Sequence, residues 1–451
     1  MEHDDLHACR VLLVQPPIYD FALYDLFLKP YGLMRLESWF QDAGYAVSWL
    51  NCLDTADEAT KAVLGSPKRK PDGTGKFFRQ HTSLPGGMPR IPRRFSRYGI
   101  IAERVAEEIR SSRADIVCIT TGMTYWYLGV DEVVRTARRE LPGAKIVIGG
   151  IYATLMPEHA ERRIAPDCIQ VGDSISPLRR YLRENGFPVS DEDLPRYPET
   201  LHGFAERGSG VLRLNTGCPM HCDYCASGSI HERFRAGDPD TAVDFLERMY
   251  REKGIRHIGF YDDALLVNKE EVLLPFLEKV LRRSLKLSFH TPNAVHIRYM
   301  NRECAALMKR AGFIEVRMGY ESSDEQFHLE HDRKFSSDDF SRALAALANA
   351  GFAPSQLPVY ILAGLPRQDH REVLDSVALA AEAGASVSIA EYSPVPGSPM
   401  WDQVVEQCPY PLETEPLFHN NIFFSTEWEQ FTREDMQLVK ELARRTRIRQ
   451  K

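Results

Sequence analysis

Short apolar runs alternate with amphipathic stretches along most of this chain, the pattern of βα units whose strands lie side by side in parallel. In the first part the runs are Val11–Val14, Val47–Asn51, Ile116–Thr120, Lys145–Ile148 and Ile169–Val171. Helical patterns near Tyr31–Ala43, Ile100–Arg110, Val130–Arg139, Pro157–Arg163 and Ser176–Glu184 separate and follow them. Residues 1–189 are therefore expected to form an open, doubly wound α/β sheet, whose ligands bind beyond the carboxyl ends of the strands. Residues 190–206 carry prolines and acids without periodicity and read as a linker. A second series follows, with strands expected at Val211–Asn215, Ile255–Phe260, Lys286–His290, Glu315–Gly319, Gln356–Ile361 and Ala385–Ala390. Leu273, Phe276, Leu277, Val280 and Leu281 line one helix face in this series, and Phe340, Leu344 and Leu347 another. Six βα units over residues 207–405 predict a partial (β/α)6 barrel, with 406–451 as a C-terminal extension.

Composition narrows the partners. No stretch approaches the roughly 20 apolar residues that span a bilayer, and the acidic start MEHDDLHACR does not read as a secretory signal. A cytoplasmic protein without a membrane partner is expected. The net charge of −7 gives no general reason for nucleic acid to bind. Residues 65–98 run against that balance, with nine Lys or Arg and one Asp among many Gly and Pro. They are read as a solvated or substrate-covering loop rather than a nucleic-acid patch. The GTGK within them lacks the spacing of a phosphate-cradling loop.

The cysteines point to chemistry. Of nine, Cys9, Cys52, Cys118, Cys168, Cys304 and Cys408 are scattered, as free thiols in a reducing compartment would be. The other three, Cys218, Cys222 and Cys225, form a C-x3-C-x2-C loop in LNTGCPMHCDYCASG, directly after an expected strand. Three close thiolates can hold three irons of a 4Fe–4S cubane and leave the fourth open to a small molecule. The alternative is structural zinc with His221 or His231 as fourth ligand, in a zinc-stabilised binding protein; no second cysteine pair stands nearby to close such a site.

Here the sequence resembles a known family. C-x3-C-x2-C with an aromatic before the third cysteine, here Tyr224, is the signature of the radical S-adenosylmethionine (radical SAM) superfamily. GFYDDALLVN, VRMGYESSDE, LPVYILAGLPRQDHREVLDSV and EYSPVPGSPMWD resemble, in order, its second-strand acidic segment, its fourth-strand G-x-E-S, its fifth strand with G-L-P turn, and the ending of its cobalamin-associated branch. The resemblance covers roughly residues 205–405. It implies a cluster whose open iron chelates S-adenosylmethionine, an electron donor such as flavodoxin or ferredoxin, and cleavage to methionine and a 5′-deoxyadenosyl radical. It also implies that Tyr224 lies along the adenine and that Asp262 or Asp263 receives the methionyl ammonium. The chain has FYDDAL where much of the superfamily has Gly-Gly-Glu-Pro, so that choice stays open. Asn293 and Glu321 are candidates for ribose contacts, with a simple turn as the other reading of Asn293.

The opening segments VLLVQPP, YGLMRLESWFQDAGYAV, IVCITTGMTYW, IVIGGIYATLMPEHA and DCIQVGDSISPL resemble the flavodoxin-like, cobalamin (B12)-binding-type domain that precedes many such barrels. That resemblance implies a cobalamin groove lined by Thr120, Thr121, Gly149 and Gly150. No D-x-H-x-x-G occurs to supply a lower-axial histidine, and VGDS puts Asp173 where the branch shows a glutamate. A domain that has lost cobalamin is the other reading, and the bulky run Met123–Tyr127 either fills the groove or stacks on a corrin. The implied activity is cobalamin-dependent methyl transfer to an unactivated carbon or phosphorus of a small-molecule substrate. The rival is radical cyclisation, rearrangement or ring contraction without methyl donation.

Overall fold

The first strand shows why the sheet is parallel: Val11, Leu12, Leu13 and Val14 are all at most 2% exposed, so both its faces are covered. The computed structural model describes residues 8–202, 208–333 and 336–449, and the chain divides into two units, 1–206 and 207–451.

In the first unit β1 (Arg10–Gln15) is followed by β2 (Ile18–Asp20), β3 (Ala46–Asn51), β4 (Arg79–His81), β5 (Ser96–Tyr98), β6 (Ile116–Thr121), β7 (Lys145–Gly150) and β8 (Cys168–Gln170). Five of them form a parallel sheet in the order β3-β1-β6-β7-β8, the flavodoxin-like arrangement. Its switch point lies between β1 and β6. The helix Tyr31–Asp42 closes one side with Leu33, Trp39 and Phe40, which join Val11, Leu13 and Ile116 in one core cluster.

The segment 65–98 differs from the loop expected of it. It contributes β4 and β5, which pair with β2 as an antiparallel sheet in the order β2-β5-β4. Two features that a charge count hides hold it in place. Phe77 and Tyr98 bury with Ile18 and Leu53, and two of its cations find acids: Arg69 meets Asp25 at 2.5 Å and Arg97 meets Glu132 at 2.6 Å. Residues 190–202, though aperiodic, are bonded along the helix Tyr31–Asp42. Trp39 Nε1 donates to Glu192 O at 2.8 Å, Arg35 Nε to Pro195 O at 2.6 Å, and Tyr31 Oη to Arg196 O at 3.1 Å. Glu37, 1% exposed, accepts from Thr200 Oγ1 and pairs with His202 Nδ1 at 2.6 Å.

In the second unit the strands are β9 (Ser209–Leu212), β10 (His257–Phe260), β11 (Ser288–His290), β12 (Val295–His296), β13 (Met318–Glu321), β14 (Pro358–Ala363) and β15 (Ser386–Glu391). They form two parallel sheets, β11-β10-β9 and β12-β13-β14-β15. The approach to β13 stitches them together, since Phe289 N donates to Gly312 O at 2.9 Å and Ile314 N to Phe289 O at 3.2 Å. The result is the six-stranded arc of a partial barrel, with β12 as a short addition. Outside it, Phe260, Phe276, Phe289 and Phe313 pack ring to ring. The expected helix faces are buried apart from the half-buried Leu281, with Phe276, Leu277 and Val280 fully covered. A polar chain crosses the strands: His257 Nδ1 to His290 Nε2 at 3.1 Å, Arg317 forked on Glu315, and Arg317 to Tyr360 Oη at 3.0 Å.

The last segment covers the edge strand β15, which would otherwise offer free pairing groups. The helix Arg433–Arg449 packs on β15 and on the helix His370–Glu382, with Lys440 meeting Glu391 at 2.7 Å. Trp428 Nε1 donates to Gln368 O at 2.8 Å and Thr426 Oγ1 to Gly364 O. Among the described residues no helix is long and apolar enough to cross a membrane.

Candidate functional site

The three-cysteine loop leaves the end of β9 and is fixed at its root. Asp262, just past β10 and 2% exposed, accepts Asn215 N on Oδ1 at 2.6 Å and Leu214 N on Oδ2 at 2.9 Å. Burial pushes its carboxyl up to about 7, against the downward pull of those two N–H groups. Gly217 then turns the chain at φ +75°, where a Cβ would stand 3.0 Å from Arg233 O.

Within the loop the sulfurs meet N–H donors. Cys218 Sγ accepts from Met220 N at 3.5 Å and lies 3.7 Å from His296 Nε2; Cys225 Sγ accepts from Ser227 N at 3.4 Å. Such donors favour thiolate and tune a cluster held by it. Cys222 is 7% exposed and Cys225 is open to solvent. The scattered cysteines are different: burial pushes Cys304 up to about 12 and Cys168 to about 11, which keeps them inert thiols. Among the described residues no three His, Cys, Asp or Glu side chains converge to hold a single metal ion. Three sulfurs on one loop partly open to solvent, two of them meeting amide donors, are a donor set that fits a cluster with one corner left for a ligand.

The other candidates gather around this loop. Asp263, unlike its neighbour, keeps its side chain 37% exposed. It accepts from Ser227 Oγ at 2.9 Å, and His231 Nε2 lies 3.9 Å away. Asn293 donates from Nδ2 to Asp262 O at 3.3 Å, tying the turn after β11 to the end of β10. Glu321 ends β13 at φ +60°, with a register shift against β14 between Gly319 and Glu321. A left-handed glutamate at a strand end stores strain that its surroundings must hold. Tyr224 Oη donates to Asp332 Oδ2 at 2.7 Å. Asp332 Oδ1 lies 2.8 Å from His328 Nδ1, and His328 Nε2 lies 3.0 Å from Ser322 O. Burial lowers the His328 pKa, but the Asp332 carboxylate outweighs it and holds the ring above its ordinary value. His296, His328 and Asp332 escaped the sequence reading. The available signal for the last two was a His and an Asp four apart, on a helix following G-x-E-S.

In the first unit Thr120 pairs with Gly149 and Thr121 with Gly150, at the carboxyl ends of β6 and β7. A Cβ on Gly150, φ +113°, would stand 2.4 Å from Thr121 O, so glycine lets the two strand ends close. Thr121 Oγ1 accepts from Ala153 N at 3.1 Å. Most of the bulky run turns into its own domain: Trp126 Nε1 donates to Asp20 Oδ2 at 2.7 Å and its ring covers Gly122, while Tyr127 packs on Tyr152 and His159. Met123 stays 43% exposed and Val171 41%, flanking the open Gly150. Two exposed apolar side chains past the ends of the strands beside β7 suit a large, flat ligand.

Residues 212–387 match the radical SAM superfamily. This chain carries a radical SAM domain. Residues 94–182 match the B12 binding domain, so cobalamin joins the 4Fe–4S cluster and S-adenosylmethionine as the groups that the enzyme's domains are built to take. The enzyme is 24% identical over 366 residues to an uncharacterised methyltransferase of Pyrococcus horikoshii, covering 73% of this chain and 74% of that one. It is 22% identical over 260 residues to the anaerobic magnesium-protoporphyrin IX monomethyl ester cyclase of Cereibacter sphaeroides, covering 49% of this chain and 42% of the cyclase. Its fold is similar to that of TsrM from Kitasatospora setae, a radical S-adenosylmethionine methyltransferase solved with cobalamin and a [4Fe–4S] cluster. That match has a TM-score of 0.66 at 16% identity, over 90% of this chain and 76% of TsrM.

Proposed function

We propose that this enzyme is a cobalamin-dependent methyltransferase acting on an unactivated carbon or phosphorus of a small molecule. The observation that carries the reading is the union, in one chain, of a B12-binding domain with a radical SAM domain whose three thiols stand on one loop. When bound, the cluster and S-adenosylmethionine supply a 5′-deoxyadenosyl radical, and cobalamin supplies a methyl group. An external one-electron donor such as flavodoxin or ferredoxin serves the cluster.

The chain's own residues bind and orient. Cys218, Cys222 and Cys225 hold the cluster, with Met220 N, Ser227 N and His296 directing N–H groups at two of the sulfurs. Asp262 is the anchor of the loop, both its oxygens being occupied by main-chain N–H groups. Asp263 is the carboxylate that meets the methionyl ammonium, because it is exposed and stands against Ser227, two residues beyond Cys225. Tyr224 lies along the adenine, and Glu321 and Asn293 face the ribose. Thr120, Thr121, Gly149 and Gly150 line the cobalamin groove, with Gly150 letting the ends of β6 and β7 close.

Radical cyclisation is the second reading, favoured by the similarity to the cyclase. One experiment separates them. The protein is purified without oxygen, analysed for iron, sulfide and corrinoid, and incubated under reducing conditions with S-adenosylmethionine labelled in its methyl group. Label in the corrinoid fraction supports methyl transfer. Deoxyadenosine formed while corrinoid is absent, or stays unlabelled, supports cyclisation. Material that holds no cluster sinks both.

A further inference from the structure

The segment from Cys222 to Cys225 is gripped by the helix Glu325–His331 and the residues that follow it. Asp223 N donates to His331 O at 2.9 Å, and the Asp223 carboxylate lies 3.4 Å from His331 Nδ1. Next to it the Tyr224 ring stacks on Phe327, centroids 6.3 Å apart and 23° between planes. Its hydroxyl donates to Asp332, which meets His328, which meets the carbonyl of Ser322. His328 and Asp332 are each 4% exposed. With Asp332 at one ring nitrogen and the Ser322 carbonyl at the other, His328 makes the path continuous from Tyr224 to Ser322. One end is the residue before the third cysteine and the other is the residue after Glu321. This path lies wholly within the second unit.

We propose that Asp332 and His328 are positioning residues that hold Tyr224 and Glu321 in one fixed relation, so that the adenosine half of S-adenosylmethionine meets a preformed cradle. The proposal rests on the radical SAM reading above. Two physical facts favour it. Glu321 sits at φ +60°, a conformation that persists only where neighbours enforce it, and Ser322 is the nearest point at which the chain of bonds takes hold. A tyrosine hydroxyl and a histidine buried among acceptors also have one arrangement that satisfies them, whereas packing alone would leave the loop several.

The test uses the full chain, reconstituted with iron and sulfide, as wild type, Tyr224→Phe, Asp332→Asn and the double variant. Tyr224→Phe keeps the ring on Phe327 and removes one hydroxyl, so it remains informative should Asp332→Asn fold poorly. Iron and sulfide content and thermal midpoint are read beside the dissociation constant for S-adenosylmethionine. In Tyr224→Phe the cluster content stays at the wild-type value and the midpoint falls by a few degrees at most, while the dissociation constant rises about ten-fold. The double variant binds no more weakly than Asp332→Asn, because bonds in series do not add. Dissociation constants within about two-fold of wild type in both single variants, or loss of iron from Tyr224→Phe, overturn the proposal. Wild-type protein that loads a cluster yet binds no S-adenosylmethionine overturns the functional reading and this proposal with it. Failure in the variant arms alone leaves that reading standing.

Discussion

Glu321 occupies the space that a side chain at residue 319 would need: a Cβ on Gly319 would stand 2.6 Å from Glu321 Oε1. The glutamate folds back over its own strand, and the register shift against β14 at this point makes room for it. Gly319→Ala is expected to swing the carboxylate away. S-adenosylmethionine binding falls about ten-fold or more, while far-ultraviolet circular dichroism and iron content stay unchanged. Equilibrium dialysis against the loaded enzyme checks it, and unaltered affinity would remove Glu321 from the site.

The neighbouring aspartates are expected to fail in different ways. Asp262→Asn turns one of two acceptor oxygens into a donor facing a main-chain N–H, at a cost of about 1–3 kcal/mol in unfolding stability. Asp263→Asn leaves stability at the wild-type value, since its side chain is 37% exposed, and weakens S-adenosylmethionine binding. Denaturant unfolding beside ligand titration separates them. Equal stability loss in both would show that neither is reserved for a ligand.

His159 gives the first unit a pH dependence. It is 7% exposed and bonded through Nδ1 to Tyr152 Oη at 2.7 Å; burial, with Arg162 and Arg163 nearby, lowers its pKa to about 4. The folded state then binds fewer protons than the unfolded state, whose histidine titrates near 6.5. Its contribution is full above that value and is lost as pH falls toward 4, by up to about 1.4 kcal/mol per pH unit. Comparing wild type with His159→Gln over pH 7 to 4 isolates the effect, because the remaining titratable groups are common to both. Parallel stability curves would refute it.

Glu37 is expected to keep residues 190–202 on their helix. Glu37→Ala leaves Thr200 and His202 without their buried acceptor. Limited proteolysis within that segment should quicken several-fold while cleavage elsewhere keeps its wild-type rate. Identical digestion patterns would mean that the bonds from Trp39, Arg35 and Tyr31 suffice.

How much could be read beforehand follows from the range over which each signal acts. Strand β1, the helix face of Phe276, Leu277 and Val280, and the spacing of Cys218, Cys222 and Cys225 are local patterns, set by side-chain period and by thiol chemistry, so the sequence alone determined them. The strands within 65–98 stayed hidden because their hold comes from Asp25 and Glu132, each at least 35 residues from its partner. Two adjacent aspartates likewise look alike in FYDDAL. Only folding sent Asp262 under the root of the loop and left Asp263 at its rim, since burial and hydrogen-bond partners belong to the assembled unit. The bond from Tyr224 to Asp332 spans 108 residues and carries no sequence pattern at all; contacts of that range exist only once the barrel has brought the ends of its strands together.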